Sequence, residues 1–287
     1  MSELGVLPPM IVLDPLLQSW LLEDIGRGDR TTQGLLMQEV REVKAEWIAK
    51  EDGVIAGLPI AARVFQLLNS NISFIPLIEE GDSCHSGMAI AKLEGSVDAL
   101  LTGERVALNL AMHLSGIATL TRKYTDKITD LPAKLVDTRK TTPGLRILEK
   151  YATRLGGAIN HRMGLDDAVM IKDNHIAAAG GIGKAISLIR QRIPYPLTIE
   201  VETETLEQVK EALQHQAEII MLDNMSPDMM QEAVGIVRSK DSHVKIEASG
   251  NIDLETIRTI AETGVDYIST SAPITQSKWL DLSMKMF

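Results

Sequence analysis

Five charged residues stand where short apolar runs break off. Arg139 and Lys140 close KLVDTRK (134–140), Lys172 falls in AVMIKDN (168–174), Glu202 in LTIEVET (197–203) and Asp223 in EIIMLDN (218–224). A charge at the end of an apolar strand is costly to desolvate without a partner. An ion pair with Asp137 or Glu202 is one solution. An anionic ligand is the other, and arginine favours bidentate recognition of carboxylate or phosphate. Glu200 and Glu202 are two residues apart in TIEVE, so they share one face of a strand. If neighbouring strands pair in order, Glu202 approaches Asp223. Oxygen ligands of that kind suit Mg²⁺, which often bridges substrate phosphates; an ion pair to the basic residues would satisfy the same acids equally well. The last two run ends are small: Ser249-Gly250-Asn251 and Ser269-Thr270-Ser271-Ala272. Amides and hydroxyls there can cradle a phosphate, and ordinary turn chemistry explains them as cheaply.

The charge is unevenly spread. The chain carries 29 Lys+Arg against 39 Asp+Glu, a net −10, yet segment 139–172 holds seven positive and three negative residues. Such an island focuses field on an anion. Within it, Arg146, Lys150 and Arg154 are spaced four apart and read as a solvated helix face. His161 and His175 flank the island as functional candidates, whereas His113, His215 and His243 read as surface or capping residues. The acidic balance and 3% aromatic content argue against nucleic acid as a partner. Gly180-Gly181-Ile182-Gly183-Lys184 lacks the GxxxxGKS/T spacing and reads as the start of a helix. Cys84 is the only cysteine, which excludes an intramolecular disulfide and fits a reducing cytoplasm. No secretory signal and no apolar run of about 18 residues is visible, so no membrane partner is expected.

The elements that must position these residues follow from the rhythm of the second half. To the four runs above are added VKIEASG (244–250) and VDYISTS (265–271). Each is short enough for a buried strand. Between them lie segments with apolar residues at three- and four-residue spacing, several opening on a cap: Thr205, Ser226 before Pro227, and Asp253. Alternating strand and helix predicts parallel βαβ units. Six strands fall short of the eight of a complete barrel, so an incomplete or open β/α barrel is expected, with a doubly wound sheet as the alternative. The first 115 residues lack this rhythm. They read as an amphipathic helix, a hairpin over 43–58 around Asp52-Gly53, a helix over 58–69, and a long helical stretch over 94–128 broken at Gly116. The expected organisation is α/β, with a separate N-terminal domain over 1–115, the barrel over 116–275, and a tail over 276–287 returning to the first domain.

At this point the residues resemble a known family. DTRKTTPGLR (137–146), GGAINHRMGLDDAVMIKDNH (156–175), IEVE (199–202), MLDN (221–224), EASGNI (247–252) and ERVALN (104–109) are similar to the quinolinate phosphoribosyltransferases. The resemblance implies an N-terminal α/β sandwich and a C-terminal open barrel with fewer than eight strands. It implies transfer of phosphoribose from phosphoribosyl pyrophosphate to quinolinate with loss of CO₂ and Mg²⁺ as cofactor, giving nicotinate mononucleotide for NAD synthesis. It also implies a homo-oligomer, dimer or larger, with sites shared across the dimer interface. Carried over by motif, Thr138, Arg139, His161, Arg162 and Lys172 would hold quinolinate, and Arg105 would enter from the neighbouring subunit. Lys140 would lie near the reacting centre. Glu202 and Asp223 would serve the metal and ribose, and Ser249, Gly250, Asn251, Ser271 and Ala272 the 5-phosphate. Asn251 stands where the family commonly has a glycine, and STSAPIT (269–275) replaces a glycine-containing end. Two other readings compete: Lys172 as the Schiff-base nucleophile of a barrel aldolase, and a non-catalytic metabolite-binding protein.

Overall fold

A computed structural model describes residues 6–35 and 41–287. The chain divides into two compact units. The first comprises the described residues through Arg122 together with Ile147–Gly156 and Gln276–Phe287. Helices α1 (Met10–Ile25) and α2 (Arg30–Leu35) precede β1 (Glu42–Ala49) and β2 (Gly53–Val54); α3 (Leu58–Leu68), β3 (Ser73–Pro76), β4 (Ser83–Cys84), β5 (Ala89–Ser96) and α4 (Val97–Asp126) follow. β1 pairs antiparallel with β5 on one side and with the C-terminal strand Leu282–Met286 on the other, and β3 continues the sheet beyond β5. Ala45, Trp47 and Ala49 are buried at the period of two that a half-covered strand requires. Trp47 meets Phe65 of α3 and Phe74 of β3 edge-on, at centroid separations of 6.2 and 5.4 Å.

Two local expectations are overturned in this unit. Residues 43–58 form no hairpin. Both edges of β1 are already paired, and β2 pairs with β4 instead. The Asp52 carboxylate accepts from the Ser86 amide at 2.9 Å, which turns the chain away from β1. Nor does α4 break at Gly116: it runs unbroken from Val97 to Asp126. The glycine is there for space, because a Cβ on Gly116 would collide with the Lys278 carbonyl of the returning tail.

The second unit comprises Lys123–Arg146 and Gly157–Thr275. In chain order from β6 the elements are β6 (Lys134–Val136), α5 (Arg146–Leu155), β7 (Val169–Ile171), α6 (Asp173–Ala179), α7 (Ile182–Arg190), β8 (Ile199–Thr203), α8 (Leu206–Gln214), β9 (Ile219–Asp223), α9 (Pro227–Lys240), β10 (Lys245–Ser249), α10 (Ile257–Ala261), β11 (Tyr267–Ser269) and α11 (Ala272–Thr275), all but α5 belonging to this unit. From Ile147 onward α5 groups with the first unit, although the sequence alone placed it in the barrel. All six strands are parallel, in the order β6-β11-β10-β9-β8-β7. Neighbours are consecutive from β7 to β11, and β6 returns beside β11. That is the cyclic order of a barrel opened between β6 and β7; a doubly wound sheet would reverse direction at its switch point. At the opening an isolated parallel bridge joins Val136 to Ile159, the Ile159 amide donating to the Leu135 carbonyl at 2.8 Å and the Asp137 amide to the Ile159 carbonyl at 3.2 Å. Two of the three expected caps form: Thr205 exchanges bonds with Gln208, and Ser226 accepts from the Met229 amide ahead of Pro227. Asp253 does not cap a helix; it accepts from the amides of Glu255 and Thr256 in the turn before α10, which starts only at Ile257 and has no side-chain cap. No helix among the described residues is long and apolar enough to cross a membrane.

The Gly116 contact yields a test. In an open helix, Gly→Ala gains about 1 kcal/mol of propensity. Here the methyl meets backbone that cannot swing away, and overpacking costs about 1–3 kcal/mol. Gly116→Ala should therefore lower the thermal midpoint in a melting experiment; an unchanged or raised midpoint would contradict the close passage of the tail.

Candidate active site

Parallel strands bring their C-terminal ends to one side, and most of the residues singled out from the sequence meet there. Asp137, just after β6, is 3% exposed and acts as an anchor. Its Oδ2 accepts from Asn160 Nδ2 at 2.7 Å and its Oδ1 from the His161 amide at 2.8 Å. Thr138 Oγ1 accepts from the Lys140 amide at 3.0 Å and turns the chain so that Lys140 is exposed and Arg139 half-buried. Arg139 Nε is buried and has no hydrogen-bond partner. Arg162 donates from Nη1 to the Ala168 carbonyl at 2.9 Å. Burial, and next the positive charge of Arg139, push the Arg162 guanidinium below its ordinary range. The two guanidiniums thus feel each other's charge, and neither is hydrogen-bonded to a carboxylate among the described residues.

The carboxylates go elsewhere. Glu200 and Glu202 of β8 do share the inner face, and each finds a different cation. Lys172 Nζ pairs with Glu202 Oε2 at 2.6 Å. The Lys172 amide donates to His175 Nδ1 at 3.0 Å, so His175 shapes the start of α6. Glu200 Oε2 lies 3.2 Å and Glu247 Oε2 3.6 Å from His161 Nε2. His161 Nδ1 accepts from the Arg162 amide at 2.7 Å, which leaves the ring proton on Nε2, facing the two acids. Both ring nitrogens of His161 are therefore engaged within the protein. Burial first, then the Glu200 charge, push Glu247 up to about 7, against the opposing pull of His161.

On β9, burial and then the neighbouring Glu202 charge push the Asp223 carboxyl up, while the Asn224 amide, donating at 2.8 Å, pulls it down. Carboxylate oxygens such as those of Glu202 and Asp223 are the donor type a hard divalent cation takes, although Glu202 Oε2 is engaged by Lys172. Ser249 lies in register with Asp223 and Ser269 at the ends of β9, β10 and β11. Gly250 has φ +101°, and a Cβ there would strike Asn224 Oδ1. Asn251, at φ 50°, donates to the same Asn224 oxygen at 3.2 Å. Asparagine tolerates this left-handed backbone better than most residues, which accounts physically for its place where glycine is usual. Ser271 is half-buried and Ala272 buried at the start of α11. Arg105 is exposed on α4, in the other unit.

Some residues were read differently from the sequence. Lys150 is 1% exposed rather than part of a solvated face, and Arg146 spends its guanidinium on loop oxygens. His113 is largely buried and bonds Glu149 Oε1 at 3.0 Å; α4 turns that face inward. Glu247, Asn224 and Asn160 were missed. The only available signal was for Glu247: an acid in the middle of a run, VKIEASG, whose neighbours are all core-forming.

Comparison with known proteins places these residues in context. The model of the quinolinate phosphoribosyl transferase N-terminal domain matches residues 25–115, and that of the C-terminal domain matches residues 117–285. A protein of Synechocystis sp. named a probable nicotinate-nucleotide pyrophosphorylase (carboxylating) is 61% identical over 285 residues, covering 99% of this chain and 96% of that one. A Bacillus subtilis protein of the same name is 47% identical over 272 residues, covering 95% and 92%. The crystal structure of NadC from Streptococcus pyogenes superposes with a TM-score of 0.94 at 41% identity, covering 99% of each chain.

The raised Glu247 carboxyl can be tested through stability. The folded protein holds this proton at pH values where the unfolded carboxyl, near 4.5, has lost it. Folding then takes up a proton, and stability falls as pH rises between about 4.5 and 7. Glu247→Gln removes that term, so the variant should gain on the wild type as pH increases across this window in parallel denaturation series. A stability difference that does not change with pH would rule the shift out.

Proposed function

The chain belongs to the quinolinate phosphoribosyltransferase family, and from that premise we propose how its strand-end residues perform the reaction. The protein is a transferase that joins quinolinate to phosphoribosyl pyrophosphate, giving nicotinate mononucleotide, pyrophosphate and CO₂ in NAD biosynthesis. The pyridine nitrogen attacks the anomeric carbon as pyrophosphate leaves. The pyridinium so formed stabilises the C2 carbanion left when CO₂ departs, and a proton then fills C2.

One observation above all supports these residue roles: Arg139 and Arg162 sit within reach of each other's charge without a carboxylate partner, and Arg139 Nε is buried with no acceptor. A vicinal dicarboxylate supplies the missing acceptors on adjacent atoms. Thr138 turns Arg139 toward it. Lys172, already paired with Glu202 at 2.6 Å, adds a third cation. Because both His161 nitrogens are engaged within the protein, we assign His161 to orienting Arg162 through its amide. Lys140, exposed at the end of the same loop, reaches for the phosphoribosyl pyrophosphate. The amides and hydroxyls of Ser249, Gly250, Asn251, Ser271 and Ala272 receive the 5-phosphate. Glu202 and Asp223 would hold Mg²⁺, whose charge offsets that of the departing pyrophosphate. The protein's own contribution is positioning and fixed positive charge rather than a covalent intermediate. An ammonium ion-paired with Glu202 offers no lone pair to a carbonyl, which disfavours the aldolase reading of Lys172.

We further propose a cytoplasmic homo-oligomer, dimer or larger, in which Arg105 enters the site from the neighbouring subunit. Its exposure on α4 is consistent with that role.

Pyrophosphate release should require quinolinate, and nicotinate should not replace it; equal rates with nicotinate would refute the dicarboxylate assignment. Arg139→Ala should cut kcat/KM for quinolinate by about 100-fold or more, the order expected for stranding a buried charged partner. Arg105→Ala and Lys172→Ala, each inactive alone, should regain activity when mixed under conditions of proven subunit exchange. No recovery would argue against a shared site.

A further inference from the structure

Arg146 is absorbed by none of the roles above. It is the first residue of α5 and ends the irregular stretch 137–145. Its Nε donates to Thr141 Oγ1 at 3.0 Å, its Nη1 to the Met163 carbonyl at 3.1 Å, and its Nη2 approaches the Arg139 carbonyl at 3.5 Å. Thr141 and Arg139 belong to the stretch after β6. Met163 belongs to the second irregular stretch, 160–168, before β7. The first carries Arg139 and Lys140, the second His161 and Arg162.

These two stretches flank the opening of the barrel, where strand pairing gives out. Asp137 ties the start of the second to the first through Asn160 and His161. Beyond that the second stretch runs outward: Met163 is 37% and Leu165 76% exposed, so apolar packing does little to hold it. The guanidiniums of Arg139 and Arg162 also repel each other. Something must hold them at a fixed separation before an anion arrives. Arg146 does so with neutral acceptors, a hydroxyl and carbonyls, so its charge is met by no carboxylate bond among the described residues and adds to the field of the site.

We propose that Arg146 is a positioning residue: a guanidinium clasp that sets the spacing of Arg139 and Arg162 by bonding the backbone and threonine of both loops. The proposal rests on the substrate roles assigned to those two arginines. Arginine is required because its planar fork serves acceptors in different directions at once, which a lysine ammonium on a flexible stem does not. The opposing view is an ordinary loop staple that affects only stability.

The two views separate in kinetics. A staple whose loss unfolds part of the sample lowers apparent kcat and leaves KM alone, whereas a misaligned pair of cations raises KM for quinolinate. Arg146→Ala should raise that KM by about 10- to 100-fold, as loss of charged hydrogen bonds implies. Added guanidinium should restore it in part, and Arg146→Lys should not. Hydrogen exchange of the free protein should quicken at amides of 139–142 and 160–167 while β8, β9 and β10 keep wild-type rates. A KM within about twofold of wild type, on the tenfold-per-1.4 kcal/mol scale too small for a lost charged bond, or unchanged exchange in both stretches, would overturn the clasp. If Arg146→Ala does not fold, Thr141→Val decides: it deletes one acceptor and keeps the charge, and should raise KM by about threefold, the effect of one ordinary hydrogen bond; no rise overturns the proposal. Absence of quinolinate-dependent pyrophosphate release in the wild type would instead strike the assigned function, leaving the exchange data to judge the clasp alone.

Discussion

The second unit is organised around one electrostatic constraint: two partly buried guanidiniums must stay within reach of each other's charge, with no carboxylate bonded to either among the described residues. Left to itself such a pair separates or recruits an acid. The chain has acids in abundance, 39 of them, yet the two whose charge Arg162 feels, Glu200 and Asp167, do not bond it: Asp167 accepts from the Met163 amide at 2.8 Å. Glu202 is taken by Lys172 at 2.6 Å, and Glu200 and Glu247 face the Nε2 proton of His161. What holds the arginine loops in place is neutral or aimed at the backbone: the Ala168 carbonyl for Arg162, the Asp137 carboxylate gripping the His161 amide, and the oxygens bound by Arg146.

The fold makes this sorting possible. A parallel strand sends alternate side chains to opposite faces, so the acids of β8 at 200 and 202 both face inward, one a full two-residue rise beyond the other. The deeper acid meets a histidine, the shallower a lysine. The barrel is open between β6 and β7, and that gap is where the cation-bearing loops lie. Backbone pairing there is reduced to the bonds of Ile159 with Leu135 and Asp137, and side-chain bonds from Asp137 and Arg146 add to it. A closed barrel would satisfy its own edges and leave less room for loops whose geometry is set by polar side chains. The opening and the arginine-bearing loops are two sides of one arrangement.

How much of this was visible in the sequence depends on whether a feature is local. The six strands and the caps at Thr205 and Ser226 are local patterns, and each formed where the pattern stood. Arg139, Lys172, Glu202 and Asp223 were legible because a charge ending an apolar run has few explanations. The hairpin around Asp52-Gly53 failed because a turn dipeptide says nothing of which strand will take the free edge, and the tail over 282–286 took it. Gly116 was misread for the same reason: the carbonyl that forbids a side chain comes from residue 278. Lys150 looked like surface by spacing, although nothing in a four-residue period tells which side of the helix will be covered. Glu247 was hidden because a single acid inside a strand is rare, and its meaning depends on a histidine 86 positions earlier in the chain. The bond from the Arg162 amide to His161 Nδ1 was not legible, since a hydrogen bond from the next residue's amide leaves no trace in residue types.

The same constraint bears on selectivity. A pocket that merely attracted anions by net field would accept a monocarboxylate almost as well as a dicarboxylate, because field falls off smoothly and the second carboxylate adds only a share. A pair of pre-spaced guanidiniums behaves differently. Arg139 Nε is buried without a partner, so a ligand that fills one position and not the other leaves a desolvated donor unsatisfied. That penalty, about 1–3 kcal/mol for a neutral group and more for a charged one, is added to the lost attraction. Sites built around buried polar groups reject analogues that lack the matching atoms by far more than apolar pockets reject a missing methyl. On the proposed roles of Arg139 and Arg162, the repulsion that the loops must resist in the free protein is therefore also what makes the second carboxylate count.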